Sequence, residues 1–280
     1  MISLPQFIVD DVIIRALKED MHYIDLSSSC LQGSAEAYVL AKQAGVLCGV
    51  ELFCSTFAQV DPAVEVKLMV VDGVAFEDGE TLIELQGPLW ALLQGERTAL
   101  NLLQHMTGIA TATSQFVQAI EGTGAVIADT RKTLPGLRAL QKYAVTCGGG
   151  RNHRFNLSDA VMLKDNHIDA CGSIEKAVQL VRGGVSHMVK IEVETRNLDE
   201  VQQAYRAGTD VIMLDNMTIE AMREAVQWLR RQSRSVVIEA SGDITLERAH
   251  NIAQTGVDVL SVGAITHSVQ AANISMRIVK

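Results

Sequence analysis

The sequence lacks the features that mark membrane-spanning and secreted chains. No apolar stretch approaches the roughly 18 residues needed to cross a bilayer, and the start, Met-Ile-Ser-Leu-Pro-Gln, has neither the basic residues nor the apolar run of a signal peptide. The five cysteines are odd in number and include no Cys-x-x-Cys pair. Their spacing therefore suggests neither a disulfide framework nor a thiolate zinc site, and we expect a cytoplasmic protein with reduced cysteines.

Excess positive charge is also lacking. The net charge of −9 argues against general affinity for nucleic acid or an anionic membrane, because those partners bind basic surfaces. What the sequence has is apolar content: 48% of its 280 residues are hydrophobic. That is enough for a large core, as one barrel-sized unit or a barrel with a smaller domain.

The N-terminal third predicts a small sheet with helices. Apolar residues at helical spacing predict a helix over residues 7–20, and alternation predicts a strand over residues 63–70. Residues 37–41 and 81–85 are further strand candidates. A long helix is expected from Gln94 to about Glu121, with a break or bend near Gly108.

After Gly124 the pattern changes to six short apolar runs separated by helical segments. The runs begin at Ala125, Ala160, His187, Val211, Val236 and Val259. Continuous rather than alternating hydrophobicity is typical of parallel strands covered on both faces. Six such units predict an incomplete β/α barrel, and a doubly wound open sheet is the alternative because the pattern alone cannot close the sheet.

Each of the six runs carries polar or small residues at its carboxyl end. In chain order these are Asp129, Thr130, Arg131 and Lys132; Lys164 and Asp165; Glu192 and Glu194; Asp215 and Asn216; Glu239, Ser241 and Gly242; and Gly263. Charged residues commonly end strands, so one such position alone does not indicate a functional role. Gathering several charges costs several kcal/mol per ion unless a ligand compensates, so the set predicts a site for a charged substrate.

The signs of these charges indicate the kind of substrate. A cationic group is formed by Arg131, Lys132, His153, Arg154 and Lys164, with Arg97 as a further candidate. Guanidinium forks bind carboxylate or phosphate, and carboxylates such as Glu194 and Asp215 hold Mg²⁺ together with phosphate oxygens. The residues therefore predict a metal-bridged pyrophosphate and a second anion.

Small residues after the last two strands predict phosphate contacts. Ser241-Gly242 and Gly263 leave backbone N–H groups near the following helix, where the late loops of barrels often hold phosphates. A glycine at a strand end is more often a plain turn residue. Gly148-Gly149-Gly150 is interpreted as a flexible loop that lets His153 and Arg154 approach a ligand.

Several motifs together resemble the quinolinate phosphoribosyltransferase family. They are Gly95-Glu96-Arg97-Thr98-Ala99-Leu100-Asn101, the DTRKTLPG stretch from Asp129, GGGRNHR from Gly148, KDNH from Lys164, Glu192-Val193-Glu194, Leu214-Asp215-Asn216, Glu239-Ala240-Ser241-Gly242 and Ser261-Val262-Gly263-Ala264. The likeness covers about Arg97 to Ser268. Residues 21–28 fit the family pattern poorly, and Asp243 stands where Gly or Asn is frequent.

The resemblance implies an N-terminal α/β sandwich over residues 1–105, joined by residues 268–280, and an incomplete β/α barrel of the type II phosphoribosyltransferase kind over residues 106–267. It implies a homodimer in which Arg97 acts across the interface, and leaves open an assembly of dimers into hexamers. It further implies quinolinate and phosphoribosyl pyrophosphate as substrates and Mg²⁺ as cofactor, in a decarboxylating transfer that gives nicotinate mononucleotide in NAD biosynthesis.

The resemblance also assigns roles to single residues. Arg131, His153, Arg154 and Lys164 match positions that hold quinolinate carboxylates, and Lys132 and Lys164 lie near the phosphoribosyl pyrophosphate. Glu194 and Asp215 match the acidic pair that faces its ribose and magnesium, partly through water. Ser241, Gly242 and Gly263 match the phosphate loops, and Thr130 is a further substrate-binding candidate. Lys132, Lys164, Glu194 and Asp215 are the predicted catalytic residues.

Four alternatives stay open on the residues alone. They are a molybdenum-transport-associated paralogue of this fold, a nicotinate-specific transferase, a Schiff-base aldolase that uses Lys164 or Lys190, and a noncatalytic anion-binding protein. The complete motifs disfavour the paralogue. The number of cations disfavours a substrate with one carboxylate, and the charged surroundings of Lys164 disfavour an aldolase, which needs a lysine of lowered pKa.

Overall fold

The computed structural model describes residues 4–279. In the first part of the chain the elements are α1 (Gln6–Asp20), β1 (Ser34–Ala41), β2 (Gly45–Val46), α2 (Val50–Val60), β3 (Glu65–Leu68), β4 (Ala75–Phe76), β5 (Thr81–Pro88) and α3 (Leu89–Ala119). They continue as β6 (Val126–Ala128), α4 (Arg138–Cys147), β7 (Val161–Leu163), α5 (Asp165–Cys171), α6 (Ile174–Gly184), β8 (Ile191–Thr195), α7 (Leu198–Arg206), β9 (Val211–Asp215), α8 (Ile219–Arg230), β10 (Val237–Ser241), α9 (Leu246–Ala253), β11 (Val259–Ser261), α10 (Ala264–His267) and β12 (Ile274–Val279).

These elements form two compact units. The sheet unit contains the chain up to Ser114, Thr133–Gly149 and the chain from Ile265 onward. The barrel unit contains Gln115–Lys132 and Gly150–Ala264. The α4 helix thus belongs to the sheet unit although it follows β6 in the chain.

A four-stranded antiparallel sheet in the order β12-β1-β5-β3 is the centre of the sheet unit. Along β1 the side chains of Ala37, Val39 and Ala41 are buried at every second position, as a strand with one face on a core requires. Phe53 and Phe57 of α2 are fully buried in that core, with ring centroids 5.1 Å apart. Burying a side chain of this size contributes about 3 kcal/mol.

The α3 helix corrects one expectation from the sequence. It runs unbroken from Leu89 to Ala119, so the predicted interruption at Gly108 is wrong. A Cβ atom at Gly108 would collide with the backbone carbonyl of Gln270. The glycine is therefore there for the close approach of another segment and not for a break.

Six parallel strands form the sheet of the barrel unit. Their order is β6-β11-β10-β9-β8-β7, so the strands follow one another around the sheet without a reversal, and the ladder is open between β6 and β7. An unreversed order is that of a barrel, and the alternative of a doubly wound sheet is excluded. Beside the opening, Arg151 makes a parallel bridge to Ala128, its N–H donating to the Ile127 carbonyl at 2.8 Å. The incomplete barrel predicted from the sequence is confirmed.

Polar caps begin the crossover helices of the barrel unit. The side chains of Ser173, Asn197 and Thr218 accept hydrogen bonds from backbone N–H groups three residues later, at the starts of α6, α7 and α8. Such a cap is worth about 1 kcal/mol. The α7 helix begins directly after Asn197. Because each crossover helix returns the chain to the start of the next parallel strand, the carboxyl ends of all six strands lie on the same side of the sheet.

Candidate active site

The carboxyl ends of the six parallel strands carry most of the predicted site residues. Thr130, Arg131, Lys132, His153, Arg154, Lys164, Glu194, Asp215, Ser241, Gly242 and Gly263 all belong to the barrel unit. Arg97 does not: it lies exposed on α3, in the sheet unit. The barrel unit thus gathers eleven of the twelve predicted residues on elements that end at one edge of a parallel sheet, where such barrels have their active sites.

A buried acid–imidazole cluster lies within this set. His153 Nε2 is 3.1 Å from Glu192 Oε2 and 3.4 Å from Glu239 Oε1, and Ser261 Oγ donates a hydrogen bond to Glu239. Both glutamates are almost inaccessible to solvent. We call His153, Glu192, Glu239 and Ser261 the His153 cluster. A glutamate pair this buried needs a cationic or protonated neighbour, and His153 is placed to be that neighbour.

The protonation of the His153 cluster follows from its contacts. Burial alone would lower the pKa of His153, but hydrogen bonds to Glu192 and Glu239 raise it to about 10. Burial also raises the pKa of Glu192, opposed by its hydrogen bond to His153. The N–H of Arg154 lies 2.7 Å from His153 Nδ1, and Nε2 faces the two glutamates. The cluster as a whole therefore holds a proton at neutral pH that is shared between Nε2 and the glutamates.

Asp129 positions the loop that carries His153. Its carboxylate is fully buried and accepts hydrogen bonds from the Asn152 side chain at 2.7 Å and from the His153 N–H at 2.9 Å. A carboxylate with two such donors holds the loop in one conformation. Asp129, Glu192 and Glu239 stand at strand ends in the sequence, and the sequence alone assigns them no individual role. The signal available was their position in strands that are otherwise apolar.

Two guanidinium groups lie close together beside the cluster. Burial lowers the pKa of Arg154, and the positive charge of Arg131 lowers it further. Arg154 Nη1 donates to the carbonyl of Ala160 at 2.8 Å, which fixes its direction. Cations that repel one another this way are stabilised by an anion placed between them.

Lys164 and Glu194 are paired to each other. Lys164 Nζ lies 3.1 and 3.2 Å from the two carboxylate oxygens of Glu194. The lysine side chain is 48% exposed, so the pair is worth at most about 1 kcal/mol. A pair this weak can be exchanged for contacts with a phosphate or a cation. The Thr130 hydroxyl accepts the Lys132 N–H at 2.9 Å, which orders the start of this loop.

The loops after β9 and β10 are packed against each other. Asn216 has a positive φ of 50°, and its N–H donates to the Ser241 carbonyl at 2.9 Å. Gly242 has φ 95°, and a Cβ atom there would overlap the Asn216 side chain. Only glycine fits this position. Asp243 also has a positive φ, of 43°, which Asp tolerates better than most residues, so the unusual residue at 243 is compatible with the loop.

Glu194 and Asp215 are suited to Mg²⁺ only with help from a substrate. They lie at the ends of the neighbouring strands β8 and β9, where each side chain reaches solvent. Within residues 4–279, side chains that could ligate a metal converge in threes at two places. One is His153 with Glu192 and Glu239, and the other is Cys48 with Asp72 and Cys147. Neither group includes Glu194 or Asp215. Two carboxylates that leave the other positions to phosphate oxygens and water are the usual Mg²⁺ arrangement at phosphate substrates, so the residues fit the ion.

Taken together, an incomplete parallel barrel with cations and two carboxylates at its carboxyl edge defines a class: a β/α-barrel enzyme for anionic substrates. The family description "Quinolinate phosphoribosyl transferase, C-terminal domain" matches residues 109–277, and its N-terminal counterpart matches residues 25–107. The chain belongs to the quinolinate phosphoribosyl transferase family. No helix within residues 4–279 has the length and apolar character needed to cross a membrane.

Named relatives agree with this assignment. The chain is 43% identical over 278 residues to a probable nicotinate-nucleotide pyrophosphorylase [carboxylating] of Synechocystis sp., covering 99% of this chain and 94% of the relative. It is 44% identical over 260 residues to the protein of the same name from Bacillus subtilis, covering 92% and 89%. The solved structure of nicotinate-nucleotide pyrophosphorylase from Francisella tularensis superposes with a TM-score of 0.95 at 36% identity, covering 99% and 98% of the two chains.

Proposed function

We propose that this protein transfers the phosphoribosyl group of phosphoribosyl pyrophosphate to quinolinate in a Mg²⁺-dependent reaction, with loss of CO₂. The products are nicotinate mononucleotide and pyrophosphate, a step of de novo NAD biosynthesis. The family and the activity named for its relatives support the reaction. The observation that carries the proposal is the crowding of Arg131 and Arg154 beside the protonated His153 cluster.

The quinolinate subsite is assigned to Arg131 and Arg154, with the His153 cluster beside them. Quinolinate carries two carboxylates on adjacent ring carbons, and each guanidinium fork can bind one of them through two hydrogen bonds. The repulsion between Arg131 and Arg154 is relieved when a dianion lies between them. A substrate with one carboxylate would leave part of this charge uncompensated, which favours quinolinate over nicotinate.

The phosphoribosyl pyrophosphate subsite is assigned to Lys132, Lys164, Glu194 and Asp215, with Ser241, Gly242 and Gly263 at its phosphate. When Lys164 turns from Glu194 to a phosphate oxygen, Glu194 becomes available to the ribose hydroxyls or to a cation. Bound Mg²⁺, held by Glu194 and Asp215, would supply neutralisation of the leaving pyrophosphate. The two lysines add positive charge on the same group.

In the transfer step the pyridine nitrogen attacks the anomeric carbon of the ribose while the bond to pyrophosphate breaks. The protein contributes position and a preorganised positive field, and no side chain attacks the substrate covalently. The nitrogen then carries a positive charge. Its positive charge stabilises the electron pair that stays on the adjacent ring carbon when the carboxylate there leaves as CO₂, and that pair then takes up a proton.

The direct test is to incubate the purified full chain with Mg²⁺, phosphoribosyl pyrophosphate and carboxyl-labelled quinolinate. We expect nicotinate mononucleotide by mass spectrometry and an equal amount of labelled CO₂, with Lys164→Ala as the impaired control. Product from nicotinate but not from quinolinate would overturn the substrate assignment. Tight binding of quinolinate without any product would identify a noncatalytic anion-binding protein instead.

The assembly and location form a further part of the proposal. We infer a homodimer in which Arg97 of one subunit contributes to the site of the other, because Arg97 belongs to the motif shared with the family while the remaining cations belong to the barrel unit. Sedimentation of the purified chain tests the dimer and any hexamer. A cytoplasmic location is tested by assaying fractionated cells for the activity.

A further inference from the structure

A second group of convergent side chains lies in the sheet unit, outside the proposed reaction site. The Sγ atoms of Cys48 and Cys147 and a carboxylate oxygen of Asp72 all lie within 4.8 Å of one another. Both cysteines are buried, and Asp72 is partly exposed. We call Cys48, Asp72 and Cys147 the dithiol cluster.

We propose that the dithiol cluster binds a thiophilic divalent cation, with Zn²⁺ as the best match, through both thiolates and the Asp72 carboxylate. Tetrahedral Zn²⁺ takes sulfur ligands at about 2.3 Å and carboxylate oxygens at about 2.0 Å, which places the ligand atoms about 3.5–3.8 Å apart. The 4.8 Å limit therefore leaves at most about 1 Å to close, which small side-chain rotations supply. Two sulfur ligands select zinc over the oxygen-preferring Mg²⁺.

Three hydrogen bonds fix the orientation of the Asp72 carboxylate, as is usual for a metal ligand. Its Oδ1 accepts hydrogen bonds from the N–H groups of Gly49 and Val50, at 2.9 and 3.1 Å, and so caps the start of α2. Its Oδ2 accepts the Tyr143 hydroxyl at 2.9 Å. Ligating carboxylates usually have such supporting hydrogen bonds, which fix the direction of the remaining lone pairs.

The backbone around Cys48 is fixed in the same way. The Thr107 hydroxyl lies 3.2 Å from the Cys48 nitrogen, whose N–H donates to it, and donates to the Cys48 carbonyl at 3.1 Å. Cys147 is the last residue of α4, and the next residue, Gly148, has no room for a Cβ atom against the Ala110 carbonyl. The two sulfur atoms are therefore presented by rigid segments. Asp72 and Tyr143, which are partly exposed, mark the side from which an ion and a solvent ligand enter.

Charge balance favours the ion over the ion-free cluster. Burial raises the pKa of the Cys48 thiol well above its ordinary range, and burial also raises the pKa of Asp72. Without a cation, burial therefore favours the protonated Cys48 thiol and destabilises the Asp72 carboxylate. A divalent cation displaces one proton from each thiol, so binding should release about two protons per ion and weaken steeply as the pH falls.

Cobalt provides the test, because Co²⁺ replaces Zn²⁺ in tetrahedral sites and gives a thiolate-to-metal absorption band. We expect the chelator-treated full chain to develop this band with one Co²⁺ per chain, and Zn²⁺ to abolish it. Cys48→Ala and Cys147→Ala should each weaken Co²⁺ binding at least tenfold, as measured by titration of this band. Cys54→Ala and Cys30→Ala, at cysteines outside the cluster, are matched controls that should leave it unchanged.

Folding of the variants is checked by circular dichroism and thermal unfolding. Cys48→Ser, which nearly keeps the side-chain volume, replaces Cys48→Ala if the latter does not fold. Asp72→Asn keeps an oxygen for the α2 cap and should weaken Co²⁺ binding without removing the band. The proposal is overturned if the folded chain gives no thiolate band or if Cys48→Ala binds Co²⁺ as tightly as the wild type. It is also overturned if mass spectrometry shows the loss of two hydrogens that a disulfide between Cys48 and Cys147 would cause.

Discussion

The His153 cluster yields the sharpest prediction. Removing one carboxylate by Glu239→Gln keeps the shape of the side chain but takes away one of the two charges that hold the proton of the cluster. The pKa of His153 is raised from an ordinary 6.5 to about 10, which corresponds to at most roughly 5 kcal/mol of differential interaction. With one of the two carboxylates gone, we expect the pKa of His153 to fall below that of the wild type, towards its ordinary value.

The sign of the pH dependence follows from the raised pKa. His153 contributes stability that is fully present below pH 6.5 and is lost as the pH rises through about 10. In Glu239→Gln this contribution is smaller and is lost at a lower pH than in the wild type. The variant should therefore be destabilised most at pH 6, and its difference from the wild type should shrink as the pH rises towards about 10.

The assay is an NMR titration of the imidazole signals, with the His153 signal assigned by its absence in His153→Gln. Glu194→Gln is the matched control, because Glu194 lies on the same strand as Glu192 but pairs with Lys164. The reasoning is refuted if His153 titrates near 6.5 in the wild type. It is also refuted if Glu239→Gln and Glu194→Gln move its pKa equally.

Three further predictions concern other parts of the molecule. Arg97→Ala and Lys164→Ala should each be nearly inactive. If sites are shared within a dimer, mixing and reassociating the two variants should restore about a quarter of wild-type activity, because half of the dimers are mixed and each mixed dimer has one intact site. No recovery from a mixed dimer would contradict sharing. Gly242→Ala should cost about 1–3 kcal/mol of stability and raise the KM for phosphoribosyl pyrophosphate, since its backbone strain and overlap fall in the phosphate loop; an unchanged Tm would contradict this. Gly108→Ala should lower the free energy of unfolding in urea by about 1–3 kcal/mol. The control Gly183→Ala, at a helical glycine with open space around it, should raise it by about 0.5–1 kcal/mol. Equal effects of the two substitutions would show that the Gln270 contact is unimportant.

The barrel could be predicted because its signal is local. Each strand from β6 to β11 is a short, almost continuous apolar run, and the polar residue that follows marks the edge of the sheet. Both features are visible within a few residues. The strand order then follows from the regular alternation with helices, which leaves a barrel as the simplest closure.

The contacts that organise the site could not be predicted in this way. His153 comes from a loop after α4, while its two acceptors lie on β8 and β10, 39 and 86 residues later in the chain. No periodicity links such positions. Cys48 and Cys147 have the same property, because the usual short spacing of metal ligands is absent and only the fold brings them together.

Gly108 illustrates a second limit. Inside a helical pattern a glycine reads as a weak point, since it lowers the intrinsic preference for helix. Whether the helix breaks depends on what lies against it, and here the backbone near Gln270 fills the space. Local preference and tertiary contact predict opposite outcomes at this residue, and the tertiary contact decides.

The open seam between β6 and β7 implies a gradient of rigidity across the barrel sheet. The strands β9 and β10 are hydrogen-bonded on both sides, whereas β6 and β7 form the ends of the ladder. Groups on β9 and β10, such as Asp215 and Ser241, thus sit on the firmest part of the sheet, while Arg131 and Lys164 extend from its margins. A ligand that spans this edge would contact fixed groups at one end and groups that can adjust at the other. The same framework can therefore hold a substrate and its differently shaped product.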